Sequence, residues 1–346
     1  MFKEKEKILK WGVVGCGQAA TFFLNTFDKN LNSRIVSVSS KSKYNFLQQN
    51  SKNFDIFSNY EEHIQSKNTD IIYISLINSM HSEIIELCIK NNKHIVVEKP
   101  SSLNFQDLKT TLKKLNDKNI FFKESVLYLS HPITCKILEV LNNGDIGKVI
   151  KINASFGFNF VKKKFLFFKR KKKYNQNIFN KDLGGGAIYN YAHYPLSAIK
   201  TFSLGCNLLD LGQIKSNSYI GHTGVDEHSF LNVKFLNGME SSIELAINKN
   251  LISFLEIVGE KGSIYVNNPW SPGQFFSIKV DSKNKGKKTY DYTSDRSMWS
   301  YEVESVEKDI FSNNRESSID GVKISDSLLY LKFIDKWKKI SLQNKN

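Results

Sequence analysis

Cysteine is scarce in this chain: there are four in 346 residues, at positions 16, 88, 135 and 206, and no CxxC pair. Cysteines so scattered supply neither a tetrahedral zinc site nor a disulfide framework, so no metal site is expected and a reducing cytoplasm is the expected compartment. Long apolar runs are missing too. None approaches the roughly 20 residues that a membrane-spanning helix requires. The first apolar stretch follows a charged segment, residues 1–10, and is broken by glycines, so it reads as a strand and not as a signal peptide. No internal repeat is present. Acidic residues are short of basic ones, 34 against 49, for a net charge of +15. What is there is ordinary for a soluble protein: 40% apolar and 24% charged residues, in a chain long enough for two domains with their own cores.

Part of the positive charge is diffuse. The rest is concentrated in Lys162-Lys163-Lys164 and Lys169-Arg170-Lys171-Lys172-Lys173, on either side of Phe165-Leu166-Phe167-Phe168. One reading is a solvated loop. The other is a contact for an anionic substrate or an anionic membrane surface, because basic and apolar residues together supply both terms of interfacial binding. No recognition helix or RNA-binding signature accompanies the cluster, so nucleic acid is not an expected partner.

Up to about residue 124 the pattern alternates strand and helix. Strands are expected at 8–14, 34–39, 53–57, 71–74, 94–97 and 120–122, with helices after the first glycine turn, over 81–91 and over 104–117. That order predicts a doubly wound parallel sheet of Rossmann type over residues 1–124. From 125 to 346 the pattern changes to a C-terminal α+β domain with a large, open, mainly antiparallel sheet. Helices are expected over 131–143 and 187–202, and strands at 149–160, 212–219, 228–236, 239–248, 252–258 and 262–267. Two closing helices, about 299–312 and 325–341, follow, the last with Ser325 as its N-cap. Asn237-Gly238 and Glu260-Lys261-Gly262 read as hairpin turns.

Four features carry chemistry. Gly15-Cys16-Gly17-Gln18-Ala19-Ala20 lies between the first strand and its helix, where glycines let backbone approach a pyrophosphate and amide donors face it. Strand two ends in Ser39-Ser40-Lys41 with no acid. A carboxylate there would accept from the ribose hydroxyls of NAD, whereas lysine and hydroxyls suit a 2′-phosphate, so NADP is favoured over NAD. Glu98-Lys99-Pro100 follows the fifth strand at its carboxyl end, where open α/β sheets bind ligands. Finally, Gly184-Gly185-Gly186 leads into a helix carrying Asn190, His193 and Tyr194.

These residues, with Asn78, His81, His131-Pro132 and Gly144-Asp145-Ile146-Gly147-Lys148, give the chain a resemblance along nearly its whole length. It resembles the glucose–fructose oxidoreductase / inositol dehydrogenase (Gfo/Idh/MocA) family, most closely the branch with dihydrodiol dehydrogenases and NADP-dependent xylose dehydrogenases. The resemblance implies hydride exchange between a nicotinamide and a sugar or similar polyol. It also implies a homodimer or homotetramer formed through the open sheet. The family's EKP lysine falls on Lys99. Its D-x-G-x-H/Y motif falls on Asn190, Ala192 and Tyr194, so the acid is missing and a histidine stands one residue early, at 193.

The mechanism that follows uses Lys99 as substrate anchor and electrostatic partner, with Tyr194 or His193 as the proton-transfer residue. A tyrosine's pKa lies near 10, and a nearby ammonium favours its phenolate. Asn190 would hydrogen-bond substrate. His131 would contact substrate or serve as a satisfied structural histidine. Gly15, Gly17, Gln18, Ala19, Ser39, Ser40, Lys41, Asn78, His81, Glu98 and Lys99 are the expected cofactor contacts. The positive charge points to an acidic or nucleotide-linked sugar. The competing reading, motivated by Asn190, is a cofactor-binding sensor or scaffold with little dehydrogenase activity.

Overall fold

The short apolar runs of the first third build a six-stranded parallel sheet in a computed structural model, whose described residues are 8–27, 31–50, 53–161 and 176–343. The basic cluster at 162–173 falls outside them. The strands are β1 (Leu9–Val14), β2 (Ser33–Ser39), β3 (Asp55–Phe57), β4 (Ile71–Ile74), β5 (His94–Glu98) and β6 (Phe122–Ser125), in the order β3-β2-β1-β4-β5-β6. β4 is buried at every position and β5 at its three central ones, because helices cover both faces of a parallel sheet. Strand order reverses between β1 and β4, the switch point at which open α/β sheets open a ligand crevice. Two of the helices start on asparagines whose side chains take up free amides of the first turn. Asn59 accepts from Glu61 N at 2.8 Å, and Asn104 accepts from Gln106 N at 2.8 Å and Asp107 N at 3.1 Å.

The chain divides into two compact units, residues 1–130 with 296–327, and residues 131–295 with 328–346. The return of 296–327 to the first unit extends the expected segment 1–124. Its cause is apolar burial. Helix Met298–Phe311 sets Trp299 edge-on to Phe23 and Tyr73, at 6.1 and 5.9 Å between ring centres, and buries Val303 and Val306 in the same core as Trp11. The same helix carries Glu302, which pairs with the equally buried Lys123 at 2.7 Å.

The second unit is an eight-stranded sheet: β7 (Val149–Gly157), β8 (Leu211–Ile220), β9 (Asp226–Phe235), β10 (Glu240–Ala246), β11 (Phe254–Gly259), β12 (Gly262–Asn267), β13 (Phe275–Ser282) and β14 (Gly286–Thr293). Its order is β14-β13-β12-β11-β7-β10-β9-β8, antiparallel except where β10 runs beside β7. One face alternates buried Ile152, Ala154, Leu231, Ile243, Leu255 and Ile257. The other carries Lys151, Asn153, Phe230, Asn232, Ser242 and Glu244 around a broad depression.

The structure corrects the sequence expectations in several places. The hairpin β13–β14 has no counterpart among the expected strands. The sixth strand is Phe122–Ser125, later than 120–122. The expected helix 187–202 is two helices, Ala187–Tyr191 and His193–Phe202. Pro195 has no N–H to give, and restarting the helix at His193 places that proline in a first turn, where the N–H has no helical partner to miss. The last helix begins at Ile324, so Ser325 lies inside it; Glu316 Oε2 accepts from Ile324 N at 2.8 Å, and Asp326 in the first turn reaches back to the preceding loop, accepting from Gly321 N at 3.0 Å and Lys323 N at 3.1 Å.

Candidate active site

In the first unit the glycine turn sits at the carboxyl end of β1. Gly15 is required by the protein itself. Its φ is +101°, and a Cβ there would lie 2.3 Å from the Ser75 carbonyl oxygen. Gly17 is different. Its backbone is extended (φ −75°, ψ −170°), and a Cβ would meet nothing of the protein nearer than Ser75 O at 3.9 Å. The fold therefore gives no reason for a glycine at 17, whereas a phosphate drawn against the backbone does. Gln18 and Ala19 open the following helix, Gln18–Leu24, whose first turn carries no acid that would repel one.

At the end of β2 the two serines behave differently from one another. Ser39 is fully buried, and its hydroxyl bonds His63 Nδ1 at 2.7 Å. Burial holds that imidazole neutral, its pKa lowered to about 3, with the Lys93 charge acting the same way. Ser40 Oγ accepts from Lys43 N at 3.1 Å. Lys41 is exposed, with its ammonium 5.0 Å from the centre of the Tyr60 ring. The residue that sequence reading missed is Lys43: its Nζ donates to Cys16 O, inside the glycine turn, at 2.7 Å. The signal was present in Lys41-Ser42-Lys43, but which lysine reaches the turn depends on how the chain leaves β2.

Lys99 follows β5 on the same carboxyl edge. Its peptide bond to Pro100 is cis. Burial lowers the Lys99 pKa, and the charges of Glu98 and Glu124 oppose that. Glu98 is raised to about 7 by burial, although the Tyr73 hydroxyl donates to its Oε1 at 2.5 Å. The segment is tied down behind the lysine. His81, fully buried, sets Nδ1 2.7 Å from Pro100 O and Nε2 3.2 Å from Leu76 O, and Ser101 N donates to Glu124 Oε1 at 2.6 Å. Both ring nitrogens of His81 thus face backbone carbonyls of the unit itself. Asn78 opens the short 3-10 turn Asn78–Met80 beyond β4.

In the second unit, Gly184 and Gly186 have φ of +78° and +110°. A Cβ on Gly186 would strike Asp226 Oδ1 at 2.4 Å. Asp226, from β9, accepts from Ile188 N at 2.7 Å and lies 3.8 Å from Lys338 Nζ. Burial raises the Asp226 pKa and lowers that of Lys338, each opposed by the other's charge. Lys338 also sits 3.7 Å from the centre of the Tyr189 ring. Neither Asp226 nor Lys338 stands out in the sequence; each is brought to the glycine turn from far along the chain.

Asn190 closes that turn. Its Nδ2 donates to Gly186 O at 2.7 Å and to Gly184 O at 3.3 Å. A carboxylate cannot donate, so an aspartate would face two carbonyl oxygens. Asn190→Asp is expected to destabilise the second unit by about 1–3 kcal/mol, seen as a melting temperature lowered by several degrees in a thermal scan. An unchanged melting temperature would contradict this role for the amide.

Tyr194 is half-buried, 5.3 Å from Phe156 and 6.0 Å from Trp270 between ring centres. His193 is fully buried beside Tyr330, 5.9 Å between centres. The break at Ala192 sets the two neighbours on different sides of the second helix, one half-exposed and one interior. His131 is buried as the N-cap of Pro132–Asn142, its Nδ1 accepting from Ile133 N at 3.2 Å, and burial lowers its pKa to about 4. Its ring also stands edge-on to Phe276, 4.7 Å between centres. No group of three or more metal-ligating side chains occurs among the described residues.

Comparison with known proteins agrees with this layout. The model of an oxidoreductase family with an NAD-binding Rossmann fold, Gfo/Idh/MocA, matches residues 9–123, and the C-terminal domain of the same family matches residues 135–265. The trans-1,2-dihydrobenzene-1,2-diol dehydrogenase of Xenopus tropicalis is 24% identical over 338 residues, covering 94% of this chain and 96% of its own. The NADP-dependent D-xylose 1-dehydrogenase of Hypocrea jecorina is 26% identical over 302 residues, covering 80% of this chain and 76% of its own. Among solved structures, a 3-ketoreductase from Actinomadura kijaniata in complex with NADP and TDP-benzene superposes with a TM-score of 0.80 at 17% identity, covering 96% of this chain and 97% of that one.

Proposed function

We propose that this chain, which belongs to the Gfo/Idh/MocA oxidoreductase family, exchanges a hydride between NADP(H) and a hydroxyl or keto carbon of a sugar or sugar derivative. The observation that carries the reading is Gly17, a glycine that the protein's own packing does not demand, at the end of the central strand of the sheet whose carboxyl edge also bears Lys99. Relatives named as dihydrodiol and xylose dehydrogenases support the substrate class.

The residues fit the cofactor. Gly15, Gly17, Gln18 and Ala19 would hold the pyrophosphate against backbone. Ser40, Lys41 and Lys43 would face the adenosine ribose, and Glu98 and Lys99 the nicotinamide end. The bound nicotinamide supplies or accepts the hydride. The protein's own residues then handle the proton. Tyr194 would give a proton to the carbonyl oxygen in reduction or take one from the hydroxyl in oxidation. Lys99 also anchors the substrate oxygen. His193, fully buried, is the weaker candidate for proton transfer.

The cofactor preference rests on the missing acid after β2 and on two lysines in its place. A lysine contact to a 2′-phosphate is a charge-assisted hydrogen bond. Lys43→Ala is therefore expected to raise the Kd for NADPH roughly tenfold, a loss of about 1.4 kcal/mol, and to leave the Kd for NADH within about twofold. Fluorescence titration with each nucleotide checks it. Equal losses for both would show that Lys43 supports only the turn through Cys16 O. The enzyme acts in the cytoplasm, takes an acidic or nucleotide-linked sugar, and assembles into a homo-oligomer through the open face of the eight-stranded sheet.

A further inference from the structure

Glu124 has no place in the mechanism just given, yet it is one of the most deeply buried charged residues of the first unit, at 1% exposure. A carboxylate taken so far from water is costly unless something charged or strongly hydrogen-bonding compensates it. The neighbouring cation on its own strand does not. Side chains alternate along β6, and Lys123 is committed to the other side: it pairs with Glu302 at 2.7 Å and bonds Ser130 and Ser305 at 3.0 and 2.8 Å. Glu124 instead stands opposite Val97 in the register of β5, one residue short of Glu98. It meets the chain again just past Lys99, where its Oε1 accepts from Ser101 N at 2.6 Å.

We propose that Glu124 is the positioning residue of Lys99: it clamps the backbone two residues past the lysine and supplies a buried counter-charge to its ammonium. The clamp is two-sided. His81 holds Pro100 O from one strand end and Glu124 holds Ser101 N from the next, so the lysine's backbone is fixed within two residues on its C-terminal side. The neighbouring acids are otherwise occupied. Glu98 is engaged by the Tyr73 hydroxyl and is raised to about 7, so near neutrality it is only partly ionised. Glu302 is taken by Lys123. Of the acids that act on Lys99, Glu98 and Glu124, the second is the one whose oxygen accepts from a main-chain amide, and such a bond favours a carboxylate over its acid.

The inference rests on Lys99 being a functional lysine, but its test does not need a substrate. Competitive labelling of the full chain with acetic anhydride over a range of pH, followed by peptide mass spectrometry, reads the titration midpoint of Lys99 itself. Glu124→Gln keeps an oxygen to accept from Ser101 N and removes the charge. Its Lys99 midpoint is expected to fall by about one pH unit, with the melting temperature and the Kd for NADPH little changed. A midpoint that stays where it is in the wild type overturns the proposal. If Glu124→Gln does not fold, Glu124→Asp carries the test. It retracts the charge by one methylene and is expected to lower the midpoint by a smaller, measurable amount; no movement overturns the proposal there also. Loss of turnover in Lys99→Ala is a separate result. A Lys99→Ala enzyme that kept full activity would remove the functional reading of the lysine while leaving the measured Lys99–Glu124 coupling intact.

Discussion

Lys99→Ala is expected to lower kcat roughly 10³-fold, within the range that a positioned proton-transfer or charge-stabilising group contributes, while the Kd for NADPH changes by less than about fivefold. The lysine stands at the carboxyl end of β5, two strands from the glycine turn in the sheet order β1-β4-β5. Burial depresses its pKa, the charges of Glu98 and Glu124 oppose the depression, and the proposed role calls on its ammonium form, a positive charge beside the substrate. Such a charge acts strongly on an oxygen that becomes negative during reaction. Its removal should therefore reduce kcat and kcat/KM together, the signature of an interaction made in the transition state. Steady-state kinetics with both substrates varied would show this. A change confined to KM would make Lys99 a binding residue only.

Gly17→Val is expected to abolish cofactor binding, with at least a roughly 100-fold rise in the Kd for NADPH, and to leave folding intact. The extended backbone at 17 accepts a β-branched residue, and the nearest protein atom to the new Cβ is 3.9 Å away. The same substitution at Gly15 would be uninformative, because φ of +101° and the Ser75 carbonyl would damage the fold first. At 17 the side chain would occupy the place where the pyrophosphate approaches the backbone, a loss of about 3 kcal/mol or more on the scale in which each 1.4 kcal/mol is tenfold. Circular dichroism and a nucleotide titration on the same sample would decide it. A folded Gly17→Val protein that bound NADPH normally would remove the cofactor turn from the account.

Much of the first unit is legible in the sequence because its signals are local. Ile71-Ile72-Tyr73-Ile74 and the run at 94–97 are apolar on both faces, as buried parallel strands must be, and Gly15 marks a turn that other residues cannot make. The glycine turn and Lys99 lie on the carboxyl edge that their motifs imply. What is not legible depends on distant contacts. Nothing in Trp299 announces that it will pack on Phe23 and Tyr73, and so the return of Arg296–Ser327 to the first unit has no local signal. The hairpin β13–β14 is rich in lysine and largely exposed at a sheet edge, so composition masks its alternation.

Within the candidate site, position along the chain is a better guide than orientation. Ser39 ends β2 as expected, but the period of two turns its hydroxyl inward to His63 together with Ser37, which bonds the same ring at 2.7 Å. Asn190 reads in the sequence as a weakened acid; in the structure its amide donates to the carbonyls of the glycine turn, which an acid could not do. Lys43, Glu124 and Asp226 belong to no motif. Each becomes significant only through a partner brought near by the fold: Cys16 O, Ser101 N and Ile188 N.

The central claim is hydride transfer to or from a sugar, and the most direct measurement is absorbance at 340 nm. Purified full-length protein would be given NADP+ with a panel of aldoses and sugar acids, and NADPH with keto sugars, free and nucleotide-linked. The account predicts a steady change with at least one sugar, faster with the phosphorylated cofactor than with NAD(H), and lost in Lys99→Ala. Tight NADPH binding with no turnover on any sugar in either direction would contradict it.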